Sequence, residues 1–246
     1  MKEKACNKIG FDFKLFEPEE RVNIKEERLL EKVKEMNKDP NIDGLIVQLP
    51  LPSHINSFVA IDQIDPLKDV DGLTKTNAGK LALGEPSIIP CTPLAILTLL
   101  EEAKIDTKRK HATIVGRSNI VGKPLFNLLI QKRLNLQISV SMVHSETRDI
   151  SELTRLADIL IVAAGSPALI TPSHVKEGAV LIDVGINSVE DKSKKSGRRV
   201  VGDISRDCYE KCGAYTPVPG GVGVLTVATL MHNTLLAANL RLDYKK

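Results

Sequence analysis

A chain of 246 residues with 42% hydrophobic and only 3% aromatic residues has room for one large domain or two small ones, and its aliphatic bias suits an α/β core. Its 34 basic and 31 acidic residues are spread along the chain, which excludes the basic face or stripe of a nucleic-acid binder. The four scattered cysteines exclude a disulfide scaffold, and no stretch carries the ~18 apolar residues of a membrane span or the layout of a signal peptide. A soluble protein of the reducing cytoplasm, built as two lobes, is therefore expected. The five histidines form no metal-ligand pattern and no G-x-S-x-G elbow is present, so neither a metal nor a serine nucleophile is expected.

Taken in order, residues 2–9 look like a helix stopped by Gly10, and residues 23–38 like an amphipathic helix ended before Pro40. Residues 44–48, G-L-I-V-Q, form a buried-strand run that L-P-L-P terminates, because proline cannot donate to a ladder. A short helix at 58–64 and an acidic turn at 69–72 follow. Thr92 and Pro93 then stand as N-cap and first residue of an apolar helix over 94–103. From His111 the pattern alternates: strands at 112–115, 138–143, 159–164 and 180–184, with helices at 124–132 and 150–157. Continuous aliphatic strands separated by helices predict a parallel sheet covered on both faces, a Rossmann-like dinucleotide domain. The basic run 192–199 is expected to be a solvated loop tip between two strand-like runs. One more helix after Gly202 and Asp203 is expected, and then T-P-V-P-G-G-V-G leads into a long helix over 224–240. That proline and glycine hinge predicts a terminal helix packing back on the first lobe. The division expected is 1–105 with 224–246 against 106–223.

Residues 113–129, T-I-V-G-R-S-N-I-V-G-K-P-L-F-N-L-L, carry a strand, a glycine loop and a helix, which is how a chain brings a phosphate to a helix N-terminus. Gly116 lets the backbone leave the strand sharply, Gly122 allows close approach, and Pro124 suits a first turn. The spacing departs from G-x-G-x-x-G, so the loop alone marks an anion site only in company with Arg117 and Ser118. The second strand of this domain ends at Val143, followed by His144, Ser145 and Glu146. Arg117 and Ser145 favour a 2'-phosphate, hence NADP, whereas Glu146 is the residue type that NAD would want.

Other motifs have ordinary readings. Asp69 and Asp71 flank Val70 in K-D-V-D-G, and most D-x-D-G stretches are turns, so a paired acid/base device is not expected. Gln48 ends a strand, where open sheets place ligand contacts, but a polar strand terminus is as common. Lys2 by position is a solvated lysine. At least one of the bonds preceding Pro50 and Pro219 is expected to be cis, from the tight reversals around L-P-L-P and T-P-V-P.

Eight ordered stretches then match one family: K-E-K-A-C at 2–6, D-G-L-I-V-Q-L-P-L-P at 43–52, K-D-V-D-G at 68–72, P-C-T-P at 90–93, G-R-S-N-I-V-G-K-P at 116–124, D-V-G-I-N at 183–187, V-V-G-D at 200–203 and T-P-V-P-G-G-V-G at 216–223. The chain resembles the bifunctional methylenetetrahydrofolate dehydrogenase/cyclohydrolases of one-carbon metabolism. The resemblance implies a catalytic folate lobe over 1–105 with the last helix, and an NADP-binding domain over 106–223. It implies Lys2 as catalytic lysine, Gln48 as its assistant and Asp71 as the pterin-binding aspartate. Val47, Gln48, Leu49, Asp71, Pro219, Gly220, Gly221, Val222 and Gly223 would meet substrate, and Gly116, Arg117, Ser118, Ser145 and Ile186 would meet NADP. Tetrahydrofolate derivatives as ligands and a homodimer are implied too.

Two departures stand out. The family places a tyrosine four residues before the lysine, on a helix that follows an initial strand and helix, and this chain starts one residue before Lys2; it is expected to be an N-terminally truncated member, with Met1 internal to a longer protein. Val224 stands where the family usually has proline. Two rival readings remain at this point. One is a nucleotide- or folate-binding fragment without turnover, lacking the first strand, helix and tyrosine; the other, weaker, is a shikimate-type dehydrogenase with a different lysine and aspartate.

Overall fold

Local signals place most of the helices. Helix α1 (Lys2–Ile9) stops where Gly10 adopts φ 79°, a left-handed turn that costs glycine nothing. Helix α2 (Glu26–Lys38) starts three residues later than expected and presents Val33 to the core. Its last carbonyls are collected by the buried Lys68, whose Nζ donates to Met36 O, Asn37 O and Asp39 O. Helix α3 (Ser57–Asp62) is capped by Asn56, which accepts from Phe58 N and Val59 N. Helix α4 (Lys75–Leu83) was not anticipated, although Thr74 caps its start and Gly84 its end; its sequence has too little apolar periodicity to announce it. The computed structural model describes residues 1–18, 23–85 and 88–243.

The expected strand over 44–48 is a correction. Among the described residues it holds a single parallel bridge, Leu45 to Asp69, and residues 44–47 are only half-buried. A buried strand needs ladders on both sides, and here one bridge on one side is all that forms before the prolines. Helix α5 (Cys91–Glu102) begins right after Pro90, so Thr92 lies inside its first turn rather than capping it.

The chain divides into two units, Met1–Cys91 with Val227–Lys246, and Thr92–Thr226. In the second, strands β1 (His111–Val115), β2 (Ser139–Val143), β3 (Ile159–Val162) and β4 (Val180–Asp183) are joined by helices α6 (Gly122–Leu129) and α7 (Ile150–Thr154). Strands β5 (Asn187–Glu190) and β6 (Arg198–Val201) form an antiparallel hairpin, so Arg198 and Arg199 belong to a strand and the rest of the basic run to its turn. A short β7 (Ala214–Tyr215) was not foreseen, and the expected helix after Asp203 is a 3-10 turn, Arg206–Glu210. The sheet runs β2-β1-β3-β4-β7, every pair parallel. All four residues of β3 are buried, as an inner strand covered on both faces requires. Val115, Val143, Leu160, Val162, Leu181 and Ile204 share the core.

Helix α8 (Val222–Asp243) closes the chain. No membrane-length stretch was expected, yet Val222–Leu242 is long and apolar enough for one by length and composition. Its residues Leu230 and Ala237 pack with Val70, Ile88 and Cys91 in the core of the first unit, the role expected for a terminal helix packing back on that lobe.

Candidate active site

Residue 2 and residue 48 meet. Lys2 Nζ, on the first turn of α1, donates to Gln48 Oε1 at 2.7 Å. The Gln48 amide is oriented by its own neighbour, since Nε2 donates to Leu49 O at 2.9 Å and so turns Oε1 to the lysine. Helix α1 is held from beneath by buried Cys6, whose Sγ lies 3.7 Å from Met231 Sδ on α8. Gln48 is exposed, while Val47 and Leu49 beside it are half-buried. The peptide bonds before Pro50 and Pro219 are both cis.

The K-D-V-D-G turn separates its carboxylates. Asp69 is fully buried and its Oδ2 accepts from Thr74 N at 2.8 Å and Asn77 Nδ2 at 2.9 Å, anchoring the start of α4. Asp71, half-buried, shares neither of those partners. Burial pushes its carboxyl above the ordinary aspartate range, against the opposing pull of the Lys2 charge and the nearby Cys91 thiol. The thiol in turn is pushed up by burial and by Asp71, which keeps it a neutral donor. Gly72, at φ 68°, lies so close to the 88–90 backbone that a Cβ would come within 2.6 Å of Ile88 O. Cys91, and Asn233 of α8, which donates to Val70 O and Ile89 O, are the neighbours of Asp71 that the motifs did not single out.

In the second unit the glycine loop is built by close approach. A Cβ on Gly116 (φ 117°) would sit 2.3 Å from Ala163 O, and one on Gly122 would sit 2.1 Å from Gly116 O. Ser118 Oγ accepts from Val121 N and Gly122 N, while Arg117 and Ser118 face solvent. After β2, Ser145 donates to Glu146 Oε1 at 3.3 Å, and Asp149 caps α7. Ile186 is 70% exposed, and its Cδ1 would be 3.5 Å from a Cβ on Gly223. Gly221 is pressed on Pro217 O, and Gly220 takes φ 111°. Val222 is only 3% exposed, so toward a ligand it can offer backbone but not side chain.

Two further aspartates explain motifs whose role was not legible. Asp183 accepts from Gly185 N, Asp203 N and Ile204 N; Asp203 accepts from Ala164 N, Gly165 N and Asn187 Nδ2. A Cβ on Gly185 would strike Asp203 and one on Gly202 would strike Asp183, so D-V-G-I-N and V-V-G-D are two halves of one hydrogen-bonded junction. Among the described residues no three His, Cys, Asp or Glu side chains gather as metal ligands.

The model of the tetrahydrofolate dehydrogenase/cyclohydrolase catalytic domain matches residues 1–71, and that of the same family's NAD(P)-binding domain matches residues 90–242. The bifunctional protein FolD of Protochlamydia amoebophila is 48% identical over 239 residues, spanning 96% of this chain and 81% of that protein. The FolD crystal structure from Campylobacter jejuni superposes with a TM-score of 0.89 at 41% identity, covering 98% of this chain and 82% of that one. The Trypanosoma brucei methylenetetrahydrofolate dehydrogenase-cyclohydrolase, solved with NADP and an inhibitor, gives 0.90 at 37% identity, covering 98% and 81%. By family model, by sequence and by fold, this chain belongs to the tetrahydrofolate dehydrogenase/cyclohydrolase family.

Proposed function

We propose that the chain oxidises 5,10-methylenetetrahydrofolate to 5,10-methenyltetrahydrofolate with NADP and hydrolyses the product to 10-formyltetrahydrofolate. Lys2 is the proton carrier, Gln48 holds it, and Asp71 receives the pterin. A homodimer in the cytoplasm is the expected setting.

The first reaction asks little of the side chains. Loss of hydride from the N-CH2-N carbon leaves a cation shared by two nitrogens, so no base is needed and holding the reactants together suffices. NADP, when bound, supplies the hydride acceptor. Its phosphates suit the loop at 116–118, where the exposed Arg117 guanidinium precedes a helix start and the Ser118 hydroxyl, though it accepts from Val121 N and Gly122 N, still has its proton to donate, and Ile186 offers an exposed apolar face. Arg117 and Ser145 suit a 2'-phosphate, and Glu146 is engaged by Ser145. Pro219, Gly220, Gly221 and Gly223 offer backbone to the folate, as do Val47 and Leu49.

The hydrolysis is different. Water attacking the methenyl carbon must lose a proton, and a ring nitrogen must gain one as its bond to that carbon breaks. One amine can serve both transfers if it is held in place. The observation that carries this reading is the 2.7 Å bond from Lys2 Nζ to Gln48 Oε1, which fixes that amine on a side chain 46 residues away. Lys2→Met should lower methenyltetrahydrofolate hydrolysis about 10²- to 10⁴-fold, the usual worth of a general acid-base group, and leave NADP-dependent oxidation within about tenfold. Equal losses in the two assays, or none, would overturn the role of Lys2.

A further inference from the structure

Asn233 sits on α8 with its side chain fully buried, 163 residues from the turn it touches. Its Nδ2 donates to Val70 O at 2.9 Å and to Ile89 O at 2.8 Å, and lies 3.6 Å from Cys91 Sγ. Its Oδ1 is buried with no partner. An orphaned buried acceptor destabilises, so an apolar residue of the same size would serve helix packing better. What the amide adds is the pair of N–H bonds to two separate segments.

Those two carbonyls bracket Asp71. The Val70 carbonyl belongs to the peptide unit that leads into Asp71, so holding it fixes the plane from which the Asp71 side chain departs. The same carbonyl accepts from Cys91 Sγ at 3.4 Å. On the other side, Gly72 is pressed on the 88–90 backbone, and Ile89 O is the second acceptor of Asn233. The Cys91 thiol, with its single proton, thus holds the Val70 carbonyl alongside Asn233. We propose that Asn233 is a positioning residue for Asp71, acting through the Val70 and Ile89 carbonyls, with Cys91 completing the clamp.

The inference rests on Asp71 as the carboxyl that contacts folate, and its test separates the two. Steady-state constants for both reactions would be measured for Asp71→Ala, Asn233→Leu, Cys91→Ala and the double variants with Asp71→Ala, alongside thermal melts. Asn233→Leu should raise KM for methylenetetrahydrofolate about tenfold and leave KM for NADP within about twofold, as loss of a hydrogen-bonded anchor would. In the Asp71→Ala background the same change should add less than about twofold, since a residue acting through Asp71 has nothing left to act on. Cys91→Ala, which leaves the amide bonds in place, should move the same constant less and be equally silent in that background. Asn233→Ala, which removes the same two bonds with a smaller side chain, carries the test if Asn233→Leu does not fold. A lower melting temperature with unchanged KM, or losses that multiply in the double variants, overturns the inference while Asp71 keeps its role. An unchanged folate KM in Asp71→Ala overturns both.

Discussion

Two pairs of aspartates serve opposite ends. Asp183 and Asp203 stand 20 residues apart in the chain, yet both are buried and each takes up three N–H groups, stitching the ends of β3, β4 and β6 into one junction. Asp69 and Asp71 stand two apart and diverge: one caps a helix from inside, the other is held in a partly open position at a raised pKa with a lysine charge and a thiol beside it. A carboxylate that takes up three N–H groups is structural. One with only a thiol and a distant charge near it still has acceptor capacity to offer a ligand.

The largest effect should come from the Asp183 and Asp203 pair. Asp203→Ala leaves Ala164 N, Gly165 N and Asn187 Nδ2 without their acceptor and should cost about 3 to 5 kcal/mol in denaturant unfolding, whereas Asp71→Ala should cost under about 1 kcal/mol. Similar losses for the two would break the comparison. Next comes the backbone of the glycine loop after β1. Gly116→Ala places a methyl 2.3 Å from Ala163 O at φ 117° and should cost about 2 to 3 kcal/mol, with NADP binding weakened in parallel by fluorescence titration.

Charge recognition follows. Arg117→Ala should weaken NADP about 10- to 100-fold, the worth of a charge-assisted phosphate contact, and NAD by less than about threefold. Equal loss for both cofactors in a titration would remove Arg117 from the 2'-phosphate. The smallest effect sharpens the other half of the comparison. Burial raises the Asp71 pKa in the folded state, so the native state keeps a proton that the unfolded chain has already released, and stability falls as pH rises through the raised value. Asp71→Asn cannot ionise. It should melt higher than the parent at neutral pH, and the gain should vanish as pH drops into the ordinary carboxylate range; a gain independent of pH would show that burial of charge is not its cause.

Much of the second unit was legible because each of its strands is an aliphatic run whose neighbours must cover both faces, and Gly116 and Gly122 announce the turn that follows β1. Helix α1 ended at Gly10 for a reason visible in one residue. The first unit hid more. Residues 44–48 had strand composition, but whether a run becomes a strand depends on partners, and Leu45 found one bridge. In an extended run Asp69 and Asp71, two residues apart, would share a face; they diverge because the segment turns, and Thr74 and Asn77 draw Asp69 inward.

What the chain determines by itself is therefore local: which segments can form helices or inner strands, where glycine and proline must break them, and which loop can approach an anion. The tertiary structure alone decided that Lys2 meets Gln48, that D-V-G-I-N and V-V-G-D close on each other, and that an asparagine of the last helix grips the turn at Val70. The reason is that a buried polar group must find its partner wherever packing puts one. Separations of 46, 20 and 163 residues leave no periodicity for a sequence to display.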